Sequence, residues 1–130
     1  MDEIYEFLKS GPYFLCTVDE EGNPQTRPFG ICNEFEGGLY IQTGRRKAVY
    51  RQLKAHPRAT ISAMGKPGWI RIWCDLIEDD RIEAEAAALE AQPRLKDKGY
   101  EVGDGNNVVF RMENVKAVLV GYDDQIREII

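Results

Sequence analysis

The apolar positions change period several times along the chain, and each change marks an element. Ile4, Tyr5 and Leu8 fall on one stripe of a short helix over residues 2–10, which Gly11-Pro12 ends. Residues 13–18 (YFLCTV) form a β-rich run, 19–24 (DEEGNP) are its turn, and residues 25–33 return antiparallel. On that return Arg27, Phe29 and Ile31 share a face, so a guanidinium points where its apolar neighbours point. Glu36-Gly37-Gly38 turns the chain into a third strand over 39–43. A helix follows to about residue 55, with Val49 and Leu53 one turn apart facing inward and His56-Pro57 stopping it. Strands over 58–64 and 69–77 flank the turn Gly65-Lys66-Pro67-Gly68. The second of them alternates Trp69, Arg71 and Trp73 on one face with Ile70, Ile72, Cys74 and Leu76 on the other. Residues 81–92, rich in Ala and Glu, are predicted to be a mostly exposed helix, and 100–107 a Gly/Asn loop. Strands over 108–112 and 115–122 are predicted to close the chain as a hairpin around Glu113-Asn114. Five or six strands spaced by turns, with one helix between the third and fourth, describe a small closed or split barrel with helices outside.

Composition narrows the class. The 130 residues, 43% hydrophobic and 30% charged, suit one globular domain spanning 1–130. No apolar run approaches a membrane span, and the acidic, amphipathic N-terminus is unlike a secretory signal. Cys16, Cys32 and Cys74 are odd in number and widely spaced, which favours reduced thiols in the cytoplasm over a disulfide framework or a zinc site. Net charge of −5 argues against nucleic acid as a partner.

Charge distribution then changes the picture. Between Gly37 and Cys74 there is no Asp or Glu, yet eight Lys or Arg, so this window is +8 and the remainder −13. The stretch TGRRKAVYRQLKAHP within it predicts a strand end, a tight glycine turn and a helix opening on Arg45, Arg46 and Lys47. Cations at a helix N-terminus are disfavoured by the macrodipole unless an anion lies among them. Free backbone N–H groups and basic side chains together form a phosphate cradle. A solvated charged surface is the plainer account of these three residues, but Arg27 on an apolar face also lacks an obvious partner, and both observations favour a small anionic ligand. Trp73 reads as packing, Trp69 equally as packing or ligand contact, and His56 as a C-terminal helix cap. Nothing in the sequence forms a nucleophile–base pair or has metal-ligand spacing.

The segments YFLCTVDEEGNPQTRPFG, GLYIQTGRRKAVYRQLKAHPRATISA, WIRIWCDLIEDD and FRMENVKAVLVGY occur in this order over nearly the whole chain. In this succession the sequence resembles the pyridoxamine 5′-phosphate oxidase-like, FMN-binding split-barrel proteins, specifically their short members. The resemblance implies a mostly β fold with flanking helices, a six-stranded antiparallel split β-barrel, and a homodimer with FMN at the interface. It assigns Arg27, Arg46 and Lys47 to the flavin phosphate, Pro28 and Phe29 to backbone along the isoalloxazine ring, and Gln42 and Thr43 to the strand end near the flavin. Trp69 falls where the family often has a polar residue that reaches the flavin from the other subunit. Two departures bear on substrate. Cys32 replaces a lysine that helps hold the substrate phosphate in the oxidase, and the C-terminal Trp and Arg of the vitamin B6 site have no equivalent. The implied function is an FMN-dependent oxidoreductase that takes electrons from NAD(P)H or a similar donor and acts on a small-molecule redox substrate. The alternative is a non-enzymatic flavin, haem or deazaflavin binding or redox-sensing protein on the same fold.

Overall fold

A computed structural model describes all of residues 1–130. In chain order the elements are α1 (Asp2–Leu8), β1 (Tyr13–Val18), β2 (Pro24–Phe29), β3 (Asn33–Phe35), β4 (Gly38–Gly44), α2 (Ala48–Ala55), β5 (Arg58–Met64), β6 (Gly68–Glu78), α3 (Ile82–Ala91), α4 (Arg94–Asp97), β7 (Asn107–Gly121) and β8 (Ile126–Glu128). All strand pairs are antiparallel, and seven strands run in the order β2-β1-β5-β6-β7-β4-β3, with β8 paired to β7.

The two ends of this path are joined in sequence. β2 ends at Phe29 and β3 begins at Asn33, so a fully extended link spans roughly 14 Å at most. The sheet therefore curls until its first and last strands nearly meet without bonding to each other, which is a split barrel. Side chains alternate accordingly. On β6, Ile70, Ile72, Cys74 and Leu76 are buried while Trp69, Arg71 and Trp73 lie half-buried on the outer face. Inside, Leu15, Ile41, Ile61, Val108 and Phe110 meet Ile70 and Ile72 from across the barrel and Leu53 from α2 in one continuous core.

The split-barrel expectation holds, while several local expectations do not. There are eight strands, not six: β3 and β8, three residues each, are too short to show a period. The predicted second strand over 25–33 stops at Phe29, because the chain leaves the edge there to cross the split. The predicted hairpin at Glu113-Asn114 is a bulge inside the continuous β7. Between the pairs Trp73–Lys116 and Asp75–Glu113, β7 carries one residue more than β6. Asn114 takes the positive φ of +50°, and its side-chain amide donates to Asp75 Oδ2 at 2.8 Å. α3 is not mostly exposed: Ala84 and Ala88 pack on Tyr40 and Val109.

Candidate functional site

A cleft of about 580 Å³ lies at the split. β2 and the link after it supply Arg27, Pro28, Phe29, Gly30 and Ile31; the end of β4 supplies Gln42 and Thr43; the start of α2 supplies Lys47, Ala48 and Val49; and the α4 segment supplies Leu95, Lys98 and Tyr100. No Asp or Glu lines it.

Arg27 is the best-defined group. It lies opposite Leu15 in the β1–β2 register and is half-buried. Its Nη1 donates to Thr17 Oγ1 at 2.7 Å and to the Leu15 carbonyl at 3.3 Å, and its Nη2 donates to Gln52 Oε1 at 2.8 Å. The Thr17 hydroxyl donates in turn to Gln52 Oε1. Every acceptor is neutral, and burial lowers the pKa of the guanidinium below its ordinary value. The chain thus fixes this cation in place without neutralising it. Thr17 and Gln52 escaped the sequence reading, although each left a signal. Thr17 continues the inward series Tyr13, Leu15, Thr17 on β1, and Gln52 shares the buried stripe of α2 with Val49 and Leu53. Both are buried polar residues in slots that periodicity reserves for apolar ones.

The basic run after β4 is divided by the structure. None of its three residues is inside the helix: Arg45 and Arg46 are in the preceding turn and Lys47 is the N-cap residue of α2. Arg45 turns away from the cleft. It pairs with Glu78 at 3.2 Å, donates to the Tyr50 hydroxyl and stacks on the Tyr50 ring at 4.9 Å. Tyr50 and Lys54 also donate to Glu78, at 2.8 and 3.0 Å. Burial pushes the Glu78 carboxyl up, but these partners outweigh it and hold the group below the usual carboxylate range. Arg46 does not line the cleft either. Its backbone N–H meets Asn106 Oδ1 at 3.3 Å, and its charge contributes to lowering the pKa of Asp104. The larger causes there are the backbone N–H of Asn107, set against burial, and those of Glu101 and Asn106. The basic window in the sequence is therefore not one basic patch in space: Arg45 and Lys54 go to Glu78 and Arg58 to Asp75, acids lying just beyond the window.

Lys47 remains free of any carboxylate and lines the cleft. Beside it the N–H groups of Ala48 and Val49 open α2 and have no acceptor within the helix. At the end of β4, Gln42 Nε2 donates to Asn107 Oδ1 at 2.8 Å and to the Thr43 carbonyl at 3.2 Å, which fixes the buried Gln42 amide. The structure thus brings together Arg27, Pro28, Phe29, Gln42, Thr43 and Lys47, but not Arg46. Trp69 is elsewhere on its own chain, on the outer face of β6 with Arg71 stacked 4.8 Å from its ring centroid.

The α4 segment is the wall that sequence reasoning missed. Leu95 and Tyr100 pack with Leu89 and Ile31, which anchors a four-residue helix against the β2–β3 link. Tyr100 reaches Gly44, where a Cβ would lie 2.9 Å from its hydroxyl oxygen. Gly44 keeps an ordinary negative φ, so close approach rather than backbone conformation requires glycine here. Cys32 is buried, and that burial pushes its thiol up to about 12, which suits packing rather than redox chemistry. His56 is exposed beyond the end of α2 and does not line the cleft.

Comparison with known proteins places this architecture. The pyridoxamine 5′-phosphate oxidase family model matches residues 1–118. A NimC/NimA family protein of Clostridium acetobutylicum is 35% identical, with a TM-score of 0.88 over 99% of this chain and 93% of its own. An F420 reductase (19% identity, TM-score 0.59, 84% of this chain and 90% of its own) shares the fold. So does a heme binding protein of Mycobacterium smegmatis (19% identity, TM-score 0.66, 92% of this chain and 52% of its own). No curated protein matches the chain significantly. A match over more than nine-tenths of the sequence, on a sheet that curls and splits as described, makes this chain a member of the pyridoxamine 5′-phosphate oxidase family.

Proposed function

We propose that the cleft binds FMN and that the chain is an FMN-dependent oxidoreductase, drawing on a reduced nicotinamide or similar donor and acting on a small-molecule redox substrate. One observation carries the reading: Arg27 is held by three neutral acceptors in a cleft that no carboxylate lines. A half-buried cation in that setting fits a phosphate. Lys47 adds a second charge, and the first N–H groups of α2 add donors at the positive end of its dipole. Bound there, FMN supplies the hydride and electron chemistry. Arg27 and Lys47 hold its phosphate; Pro28 and Phe29 lie along the ring; Gln42 and Thr43 face it from the end of β4; Arg46, displaced from the cleft, acts on the phosphate only through long-range charge.

The reading includes a second copy of the chain. Trp69 and Trp73 lie on the outer face of the sheet with Phe14, half exposed, and with Met64 and Ile126, each 69% exposed. An apolar face of this kind on the barrel exterior suits a homodimer, through which Trp69 of one copy reaches the cofactor of the other. Three free thiols, one of them half-buried, fit the reducing cytoplasm, where we place the chain. Haem is the weaker alternative, because the one histidine does not line the cleft.

The test is visible absorbance of the purified chain after FMN is added and excess removed, followed by NADPH or NADH under anaerobic conditions. Retained flavin that bleaches with either donor supports the proposal. Flavin that stays oxidised with both points to a carrier or sensor, and no retained flavin refutes the cofactor assignment.

A further inference from the structure

The cations of the cleft exceed what one phosphate requires. Arg45 is taken by Glu78, and Arg46 is turned towards Asp104. Arg27, Lys47 and Lys98 remain, with no carboxylate among the lining residues. A phosphate monoester carries about −1.5 to −2 near neutrality, so Arg27 and Lys47 match it. Lys98 comes from a different wall, beyond α4, and forms no ion pair. Of the basic residues Arg94, Lys96 and Lys98 on this segment, only Lys98 lines the cleft. Helix polarity does not account for it, since α4 is a single turn.

Its neighbours complete a small site. Ile31, half-buried, offers apolar surface backed by the buried Leu95, and the Tyr100 hydroxyl lies against Gly44 with no hydrogen-bond partner in the chain. The tyrosine ring is locked between Leu95, Leu89 and Ile31, so the hydroxyl is held in position rather than left to rotate away. One cation, one phenol and an apolar wall together match a ligand with a flat apolar body and one acidic end.

We infer that Lys98 and Tyr100 form a substrate subsite for the carboxylate of a small aromatic acid, beside the proposed flavin. The inference rests on the FMN reading and adds to it a substrate class. Lys98 supplies the charge that selects an anion, Tyr100 donates to the same carboxylate, and Ile31 and Leu95 cover the ring.

Benzoate and benzamide, nearly equal in shape and different in charge, are the probes, and equilibrium dialysis against the FMN-loaded chain is the measurement. Benzoate is expected to bind about tenfold more tightly than benzamide, the scale of one charge-assisted hydrogen bond at a partly solvated site. Lys98→Gln is expected to bring that ratio to about twofold or less while FMN affinity stays within about twofold of the parent. Tyr100→Phe is expected to weaken benzoate about threefold and keep the preference for the acid. Equal binding of the two probes by the parent chain overturns the inference alone. So does a Lys98→Gln chain that loses FMN as a Lys47→Gln chain does, since Lys98 then belongs to the cofactor cradle. A parent chain that takes up no FMN overturns the cofactor reading, and this inference with it.

Discussion

Replacing Arg27 with methionine separates a cation kept for binding from one kept for stability. In the unliganded chain the guanidinium makes bonds of 2.7, 2.8 and 3.3 Å to Thr17, Gln52 and the Leu15 carbonyl. Such bonds contribute roughly 1 kcal/mol each, and the longest of them less. Against them stands the desolvation of a charge with no counter-charge, which amounts to several kcal/mol for full burial and a fraction of that at half burial. Methionine keeps the apolar stem in place and leaves the Thr17–Gln52 hydrogen bond intact. The two terms are of similar size and opposite sign, so unfolding free energy without ligand is expected to move by no more than about 1.5 kcal/mol.

With FMN present the same substitution acts differently. On the proposed FMN reading it would remove charge-assisted bonds to phosphate that contribute about 1.5–3 kcal/mol each, so a loss near 3 kcal/mol, about a hundredfold in Kd, is expected. Urea unfolding followed by Trp69 and Trp73 fluorescence reads both effects. At FMN one hundred times the parent Kd, the parent gains about 2.7 kcal/mol and the variant about 0.4 kcal/mol. Arg27→Lys, which keeps the charge without the planar fork, is expected to fall between them. A variant that loses about 3 kcal/mol without ligand and still gains the full amount from FMN refutes the argument, because Arg27 is then a structural residue.

Three further outcomes test other parts of the structure. Asp79 accepts from Arg81 and from the Tyr40 hydroxyl at 2.8 Å, and the Arg81 bonds, against burial and with help from Tyr40, lower its carboxyl from the usual 3.8 to about 2. Its contribution is complete above the usual value and disappears as pH falls towards about 2, so Asp79→Asn is expected to flatten that part of the thermal midpoint against pH; an unchanged slope contradicts the assignment. Gly44→Ala places a methyl 2.9 Å from the Tyr100 oxygen and is expected to cost about 1 kcal/mol in urea, roughly halved in a Tyr100→Phe background; equal costs in both backgrounds remove the steric explanation. Trp69→Glu puts a negative charge on the outer face and tests the proposed homodimer: the parent is expected to scatter light as two chains and the variant as one, with circular dichroism unchanged, whereas a monomeric parent refutes the dimer and an unaltered variant mass refutes this face as its interface.

What the sequence made legible was local. Arg27 on an apolar face and the inward stripe of α2 are set by spacing within a few residues, and both are where spacing put them, whereas the expected glycine turn is made by Arg45 and Arg46, with Gly44 ending β4. Register and closure are not set locally. Asn114 looks like a turn residue because its positive φ is what a turn demands, and only pairing with β6 makes that conformation a bulge. The acid-free window misled for the same reason. Charge counted along the chain ignores that β6 brings Asp75 and Glu78 back beside Arg58, Arg45 and Lys54. Removing those pairs from the count strengthens the case for the cleft, because the cations left over are ones the fold had no need to neutralise. Lys98 and Tyr100 illustrate the opposite limit. Neither belongs to a periodic element; Tyr100 meets the β2–β3 link and the end of β4, and Lys98 comes to line the cleft, only once the sheet has curled. The one trace they leave is indirect: a glycine at position 44 whose backbone does not need to be glycine, and which a tyrosine fifty-six residues later requires.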